Sequence, residues 1–186
     1  IAMVPHTDGP EGINKNGHGE VFDADGNPRM SKTFVDWLKD DPRLPILAAR
    51  RSDGSTAVAD LMGMPNGSTG ATVPDTSIYA EPNRHVITKR DVPMVFQTYA
   101  EVRLLKAEMA FRGWSVPGDA KTHYEAGVKA AMQMLSSIYP NAAAISDAEV
   151  DAYLALKPYD ASKGWEMISE QYWAATLLNE YEAFSN

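Results

Sequence analysis

Apolar residues recur with a helical period only in the second half of this chain. In PMVFQTYAEVRLLKAEMAFRGW, Tyr99, Val102, Leu105 and Met109 mark one stripe, and Glu101, Arg103, Lys106, Glu108 and Arg112 lie mostly off it. Glu108 and Arg112 stand at ion-pair spacing, Gly113 ends the helix and Trp114 folds back on it. A second helix, AKTHYEAGVKAAMQMLSSIY, starts at Asp119 as cap and buries Tyr124, Val128, Ala131, Leu135 and Ile138. Its small residues Ala126, Gly127, Ala130 and Ala131 admit another helix closely. Ser146 and Glu149 form a capping box for a third helix, which stops near Lys157-Pro158. The fourth begins around Asp160 and carries Trp165, Ile168, Tyr172 and Trp173. In the terminal QYWAATLLNEYEAFSN, Trp173, Leu177, Tyr181 and Phe184 keep helical spacing, so a continuous helix with an aromatic core stripe is expected to the end of the chain.

Residues 1–92 read differently. VPHTDGPEGINKNGHGE is full of turn residues without an apolar period, so it is expected to be irregular. DADGNP is a turn signal. SKTFVDWLKDDP predicts the one short helix of this part, capped by Ser31, with Phe34, Trp37 and Leu38 on one face and Asp41-Pro42 closing it. RLPILAAR reads as a short extended segment and MGMPNGSTG as turns. From Arg50 to Val92 runs a long excursion of the kind that is functional or wraps a neighbour.

The fold class is therefore mainly α, with antiparallel helix pairs joined by short loops and long irregular loops beside them. AEVRLLKAEMAFRGW followed by GDAKTHYEAGVKAAM has the small-residue and Tyr spacing of a tetratricopeptide unit. One such pair cannot bury both its faces. With Ile1 at the start and an apolar helix at the end, the expectation is a fragment of a larger single-domain protein. In that protein the loop-rich 1–92 and the helical 93–186 belong to the same domain.

Composition narrows the function. A net charge of −8 argues against nucleic acid, whose phosphates require clustered Lys and Arg. No run reaches the roughly 20 apolar residues that cross a bilayer. Without cysteine there is no thiol catalysis and no zinc–thiolate site. The histidines His6, His18, His85 and His123 make no His-x-x-x-His or H-E-x-x-H pattern. Asp23, Asp25 and Asn27 alternate like calcium ligands, but Gly26 comes fourth and Phe34 holds the twelfth place, so the reading is a turn and no cofactor is expected. No nucleophile elbow, P-loop or dinucleotide fingerprint appears, and the protein is read as a non-enzyme. One loop stands out: SIYAEPNRH places Tyr79 beside Asn83, Arg84 and His85, an aromatic face with hydroxyl-directed donors suited to a sugar. The alternative at this point is a loop that merely packs on the helices.

Several stretches together resemble the SusD/RagB-like outer-membrane lipoproteins of Bacteroidetes, in the SusD-like subgroup. These are MSKTFVDWLKDDPRLP, GMPNG, PMVFQTYAEVRLLKAEMAFRGW, YEAGVKAAMQM, ISDAEVDAYLAL and ISEQYWAATLLNEYEAFSN, in family order over residues 29–186. Tyr172 and Glu180 replace the Lys and Gly of the family's last motif. The resemblance implies an α/α superhelix of tetratricopeptide-like pairs, of which this chain is the C-terminal portion. It further implies a cell-surface, lipid-anchored protein of the outer membrane that binds a glycan or other nutrient oligomer. Such a protein acts as the lid of a SusC-type TonB-dependent transporter, and its lipid anchor lies outside this chain. The motifs are structural and transfer no ligand residue; Tyr79, Asn83, Arg84 and His85 rest on their chemistry alone. The competing reading is a tetratricopeptide-like scaffold for a protein partner without a small ligand.

Overall fold

A computed structural model describes residues 1–10, 14–69, 71–73 and 75–185. In chain order its first elements are β1 (Ala2–Val4), α1 (Gly17–Ala24), α2 (Lys32–Trp37), α3 (Leu44–Leu47), β2 (Ala48–Arg50) and β3 (Ala80–Pro82). Then come β4 (Met94–Gln97), α4 (Tyr99–Phe111), α5 (Ala120–Ile138), α6 (Asp147–Leu156), α7 (Gly164–Ala175) and α8 (Glu180–Ser185). They form two units, one helical (Ile1–Val4, Met94–Ser137 and the described residues from Ala144) and one rich in loops (the described residues of Pro5–Pro93, with Ile138–Ala143). No helix among the described residues is long and apolar enough to cross a membrane.

In the helical unit the helices start where their caps say. Thr98 and Glu101 make a reciprocal capping box on α4, and Ser146 with Glu149 makes another on α6. The Thr122 amide donates to Asp119 Oδ1 at 2.7 Å, opening α5. Glu108 pairs with Arg112 at 2.7 Å, and the Trp114 amide folds back to the Met109 carbonyl at 2.8 Å. Along α5, Tyr124, Val128, Ala131 and Leu135 are buried as the spacing requires. β1 and β4 pair antiparallel, Val4 opposite Met94 and Ala2 opposite Gln97.

Two expectations in this unit are overturned. The buried stripe of α4 is Ala100, Leu104 and Ala107 with Glu101, whereas Tyr99 and Leu105 are exposed and Val102 and Met109 only half-buried. Close approach explains the choice. α4 lies against α7, and a Cβ on Gly127 of α5 would stand 2.8 Å from Leu104 Cδ2. The small Ala100 and Ala107 on α4 and Gly127 on α5 therefore flank a single bulky residue, Leu104, while Tyr99 and Leu105 are left outside.

The terminal aromatic helix is also broken. α7 stops at Ala175, Leu178 takes φ 69°, and α8 resumes at Glu180. The break is stabilised by polar groups: Thr176 Oγ1 donates to the Tyr172 carbonyl at 2.8 Å and Asn179 Nδ2 to the Phe96 carbonyl at 3.2 Å. Tyr181 and Phe184 end 88% and 94% exposed, and Trp165 and Trp173 are exposed too, so these residues do not form the expected core stripe. Asn186, the last residue of that expected helix, lies outside the described residues.

The loop unit holds more helix than its turn-rich sequence suggests. Where one short helix is expected, the described residues form three α-helices. α2 is the expected one, with Ser31 Oγ accepting from the Phe34 amide and Phe34 and Leu38 buried. α1 arises inside the supposedly irregular opening because Asn16 caps it, accepting from the amides of His18 and Gly19. The same side chain donates to the Val92 carbonyl at 3.0 Å, tying the opening to a residue 76 positions away. Gly19 is required there, since a Cβ would meet the Arg90 backbone at 2.7 Å. Residues 11–13 of the opening lie outside the described residues. RLPILAAR is half helix, α3, and only then strand, β2; Pro45 sits in the first turn of α3, where its missing N–H is harmless. Ahead of α3, Arg43 makes a bidentate pair with Asp41 (2.9 and 2.6 Å), both side chains buried. In DADGNP, Asp25 Oδ1 accepts from the Asn27 amide as a turn, while Asp23 belongs to α1 and pairs with Arg90.

Candidate ligand-binding cluster

The two-stranded sheet of β2 and β3 positions the loop that the sequence singles out. Ala49 faces Glu81 and Arg50 faces Ala80, and the Arg51 amide donates to the Tyr79 carbonyl at 3.1 Å, carrying the pairing one residue further. Side chains alternate across a pleat, so Arg51, Tyr79 and Glu81 share one face.

Glu81 is the centre of this face, with its side chain only 4% exposed. Arg84 grips it with two bonds, Nε to Oε1 at 2.6 Å and a terminal nitrogen to Oε2 at 3.0 Å. A terminal nitrogen of Arg51 reaches Oε2 at 3.3 Å, and one of Arg29 stands 3.8 Å from the same oxygen. The Arg29 side chain is buried; its Nε donates to the Thr76 carbonyl and that same terminal nitrogen to the carbonyls of Gly26 and Pro28. Arg51 and Arg84 keep 29% and 24% of their side-chain surface. Burial raises the Glu81 carboxyl above its ordinary value, opposed by the fields of Arg51 and Arg29. Burial likewise lowers Arg29, opposed by Glu81 and reinforced by repulsion from Arg51. Three cations thus converge on one anion.

Of the four residues chosen from sequence, Tyr79, Arg84 and His85 come to this neighbourhood with solvent-accessible surface. Tyr79 is half-buried and His85 exposed, with the His85 ring 3.7 Å from where a Cβ on Gly54 would stand. Asn141 Nδ2 holds the His85 carbonyl at 2.9 Å. Asn83 is different. It is 2% exposed, its Oδ1 accepts from the His85 amide, and its carbonyl accepts from the amides of Val86, Ile87 and Thr88. Asn83 is a buried part of the corner that presents Arg84 and His85. Arg51, Arg29 and Glu81 escape the sequence reading. The Glu-x-x-Arg spacing of Glu81 and Arg84 was a local signal of a pair; nothing local links either to Arg29 or Arg51.

The one buried carboxylate of the cluster is engaged by arginines. The remaining histidines lie elsewhere: His6 Nδ1 is 3.1 Å from the Asn14 carbonyl, His18 opens α1, and buried His123 has Nε2 2.7 Å from the Pro117 carbonyl. Among the described residues no three His, Cys, Asp or Glu side chains are grouped to hold a metal. The helical unit carries its own surface feature, where Arg112 lies 4.5 Å over the Trp165 ring and 5.9 Å over that of Trp114, which is 60% exposed.

A family model for SusD-like proteins, described as starch-binding and associating with the outer membrane, matches residues 9–186. A solved chitin-binding protein is 29% identical with a TM-score of 0.78, over 99% of this chain and 41% of its own. A SusD-like protein of Bacteroidetes AC2a is 23% identical with a TM-score of 0.76, over 98% and 49%. A SusD-like protein from Bacteroides thetaiotaomicron is 24% identical with a TM-score of 0.68, over 93% and 40%. The chain thus spans less than half the length of these structures. No curated protein sequence matches it. The architecture is the mainly helical, tetratricopeptide-like one of those structures.

Proposed function

Because the chain belongs to the SusD-like family, whose model covers residues 9–186, we propose that it is the C-terminal portion of an outer-membrane glycan-binding protein. The whole protein is anchored by lipid at the cell surface, captures an oligosaccharide and serves as the lid of a SusC-type TonB-dependent transporter. It binds and does not turn over its ligand. The observation that supports it is that Arg84, next to exposed His85, meets Arg51 on Glu81 while Tyr79 shares the strand face of Arg51, on a fold that its solved relatives share. An aromatic face for a sugar ring beside charged donors for its hydroxyls is the usual composition of such a site. The description of the family and the chitin-binding relative agree with a glycan.

The test is calorimetric titration of the protein with chito- and malto-oligosaccharides, together with purification from membranes in mild detergent. Saturable binding and a copurifying barrel protein are expected. Absence of both removes the reading. A second reading, a scaffold for a protein partner without small ligand, draws on exposed Trp114 and Trp165 flanking Arg112. It prevails if the barrel copurifies and no glycan of any class binds.

A further inference from the structure

Taking the glycan-binding reading as its basis, we propose that the Arg51–Arg84 pair recognises an oxyanion carried on the glycan, the carboxylate of a uronic acid or a sulfate ester. The arginines are overmatched to their partner. Three guanidinium groups address Glu81, two of them at the same oxygen within hydrogen-bond distance and a third at 3.8 Å. Glu81 neutralises one of them and Asp25 lends Arg29 a second carboxylate field, which still leaves one positive charge in excess. Arg29 is buried and occupied by three backbone carbonyls, so it fixes the cluster from beneath. Arg51 and Arg84 share the surplus charge and are the two with surface left for a ligand.

Glu81 also sets their geometry. It takes Nε and one terminal nitrogen of Arg84, which fixes that guanidinium plane before a ligand arrives, and tethers Arg51 through a single terminal nitrogen. Planar, oriented forks suit carboxylate and sulfate oxygens better than a mobile ammonium does. A wholly neutral sugar has nothing to compensate a surplus of this kind. The chain as a whole is anionic at −8, yet screening confines that repulsion to about 8 Å at physiological ionic strength. Local charge therefore governs the contact, and Tyr79 on the same face offers its ring to the sugar that bears the anion.

The experiment titrates the intact protein with four oligosaccharides of matched length: chito-, malto-, oligogalacturonate and sulfated chondroitin. At least one of the charged pair should bind about tenfold tighter than both neutral ones, and the preference should shrink as salt is raised. The two charged arms separate carboxylate from sulfate. Arg51→Gln removes one contact from a half-exposed side chain and is expected to fold, checked by its melting curve; it should abolish most of the preference. Arg84→Lys keeps the charge but loses the fork, and should weaken the charged ligand several-fold. Lys121→Gln changes net charge equally at an exposed pair of α5 and should leave binding unchanged. Neutral glycans binding as well as charged ones, or Arg51→Gln retaining the preference, overturns the oxyanion site and leaves the glycan reading intact. Failure of all four ligands overturns both.

Discussion

The helical unit and the loop unit are stabilised at different ranges along the chain. In the former, helix starts are written within four residues of where they occur: Thr98 with Glu101, Asp119 with Thr122, Ser146 with Glu149. In the latter the decisive bonds cross tens of residues. Asn16 binds the Val92 carbonyl, Arg29 binds the Thr76 carbonyl, and the Met30 and Ala80 amides donate to the carbonyls of Ala80 and Met62. Helical ladders satisfy their own backbone groups. A loop must find partners for its buried backbone groups elsewhere, and charged side chains serve where strands are too short: Arg29 donates to three carbonyls and Asp41 accepts from the Arg43 amide. The lesson is that a loop-rich region is no less ordered than helices, but its order is cooperative and non-local.

That contrast can be broken at its strongest point first. Glu81→Ala leaves three arginines facing each other without their shared anion, and should cost about 3–5 kcal/mol of unfolding free energy in urea titration. A loss below about 1 kcal/mol would mean that the ion cluster does not hold the loop unit. Leu104→Ala opens a cavity where α4 meets Gly127 of α5 and should cost about 2–5 kcal/mol, with α-helical circular dichroism lost in the same transition. Ser146→Ala removes one cap and should cost about 1 kcal/mol, measured as a small fall in midpoint. A larger loss there than at Glu81 would reverse the comparison.

Acid titration sharpens it with opposite signs. Burial raises the Glu101 carboxyl of α4 above its ordinary value, opposed by its bonds to Thr98. The folded chain then holds that proton more tightly than the unfolded one. This contribution to stability is present below the ordinary value and lost as pH rises through the raised one. Asp53 in the loop unit behaves inversely: Arg50, chiefly by its hydrogen bond, and the Ser55 amide lower its carboxyl to about 2. Its contribution is present above the ordinary value and disappears as pH falls through about 2. Stability profiles of Glu101→Gln and Asp53→Asn should differ from the parent in opposite directions across the acid limb. Parallel profiles would contradict the assigned causes.

Read from residues alone, the chain already disclosed the starts of α4, α5 and α6 with their caps, the short capped helix at Ser31 and the family motifs. Each depends on side chains within one or two turns, so a linear string carries it. Also legible was the chemistry of the SIYAEPNRH loop, with Tyr79, Arg84 and His85 as its accessible members. Only the tertiary structure decided which face of α4 is buried, because Ala100, Leu104 and Ala107 win by fitting α7 and Gly127 and not by hydropathy. It alone turned Asn83 into a buried corner, broke the terminal helix at Leu178, and gathered Arg29, Arg51 and Arg84 on Glu81. These outcomes rest on desolvation and close contact between residues up to 83 positions apart, and such terms exist only once the chain has closed on itself.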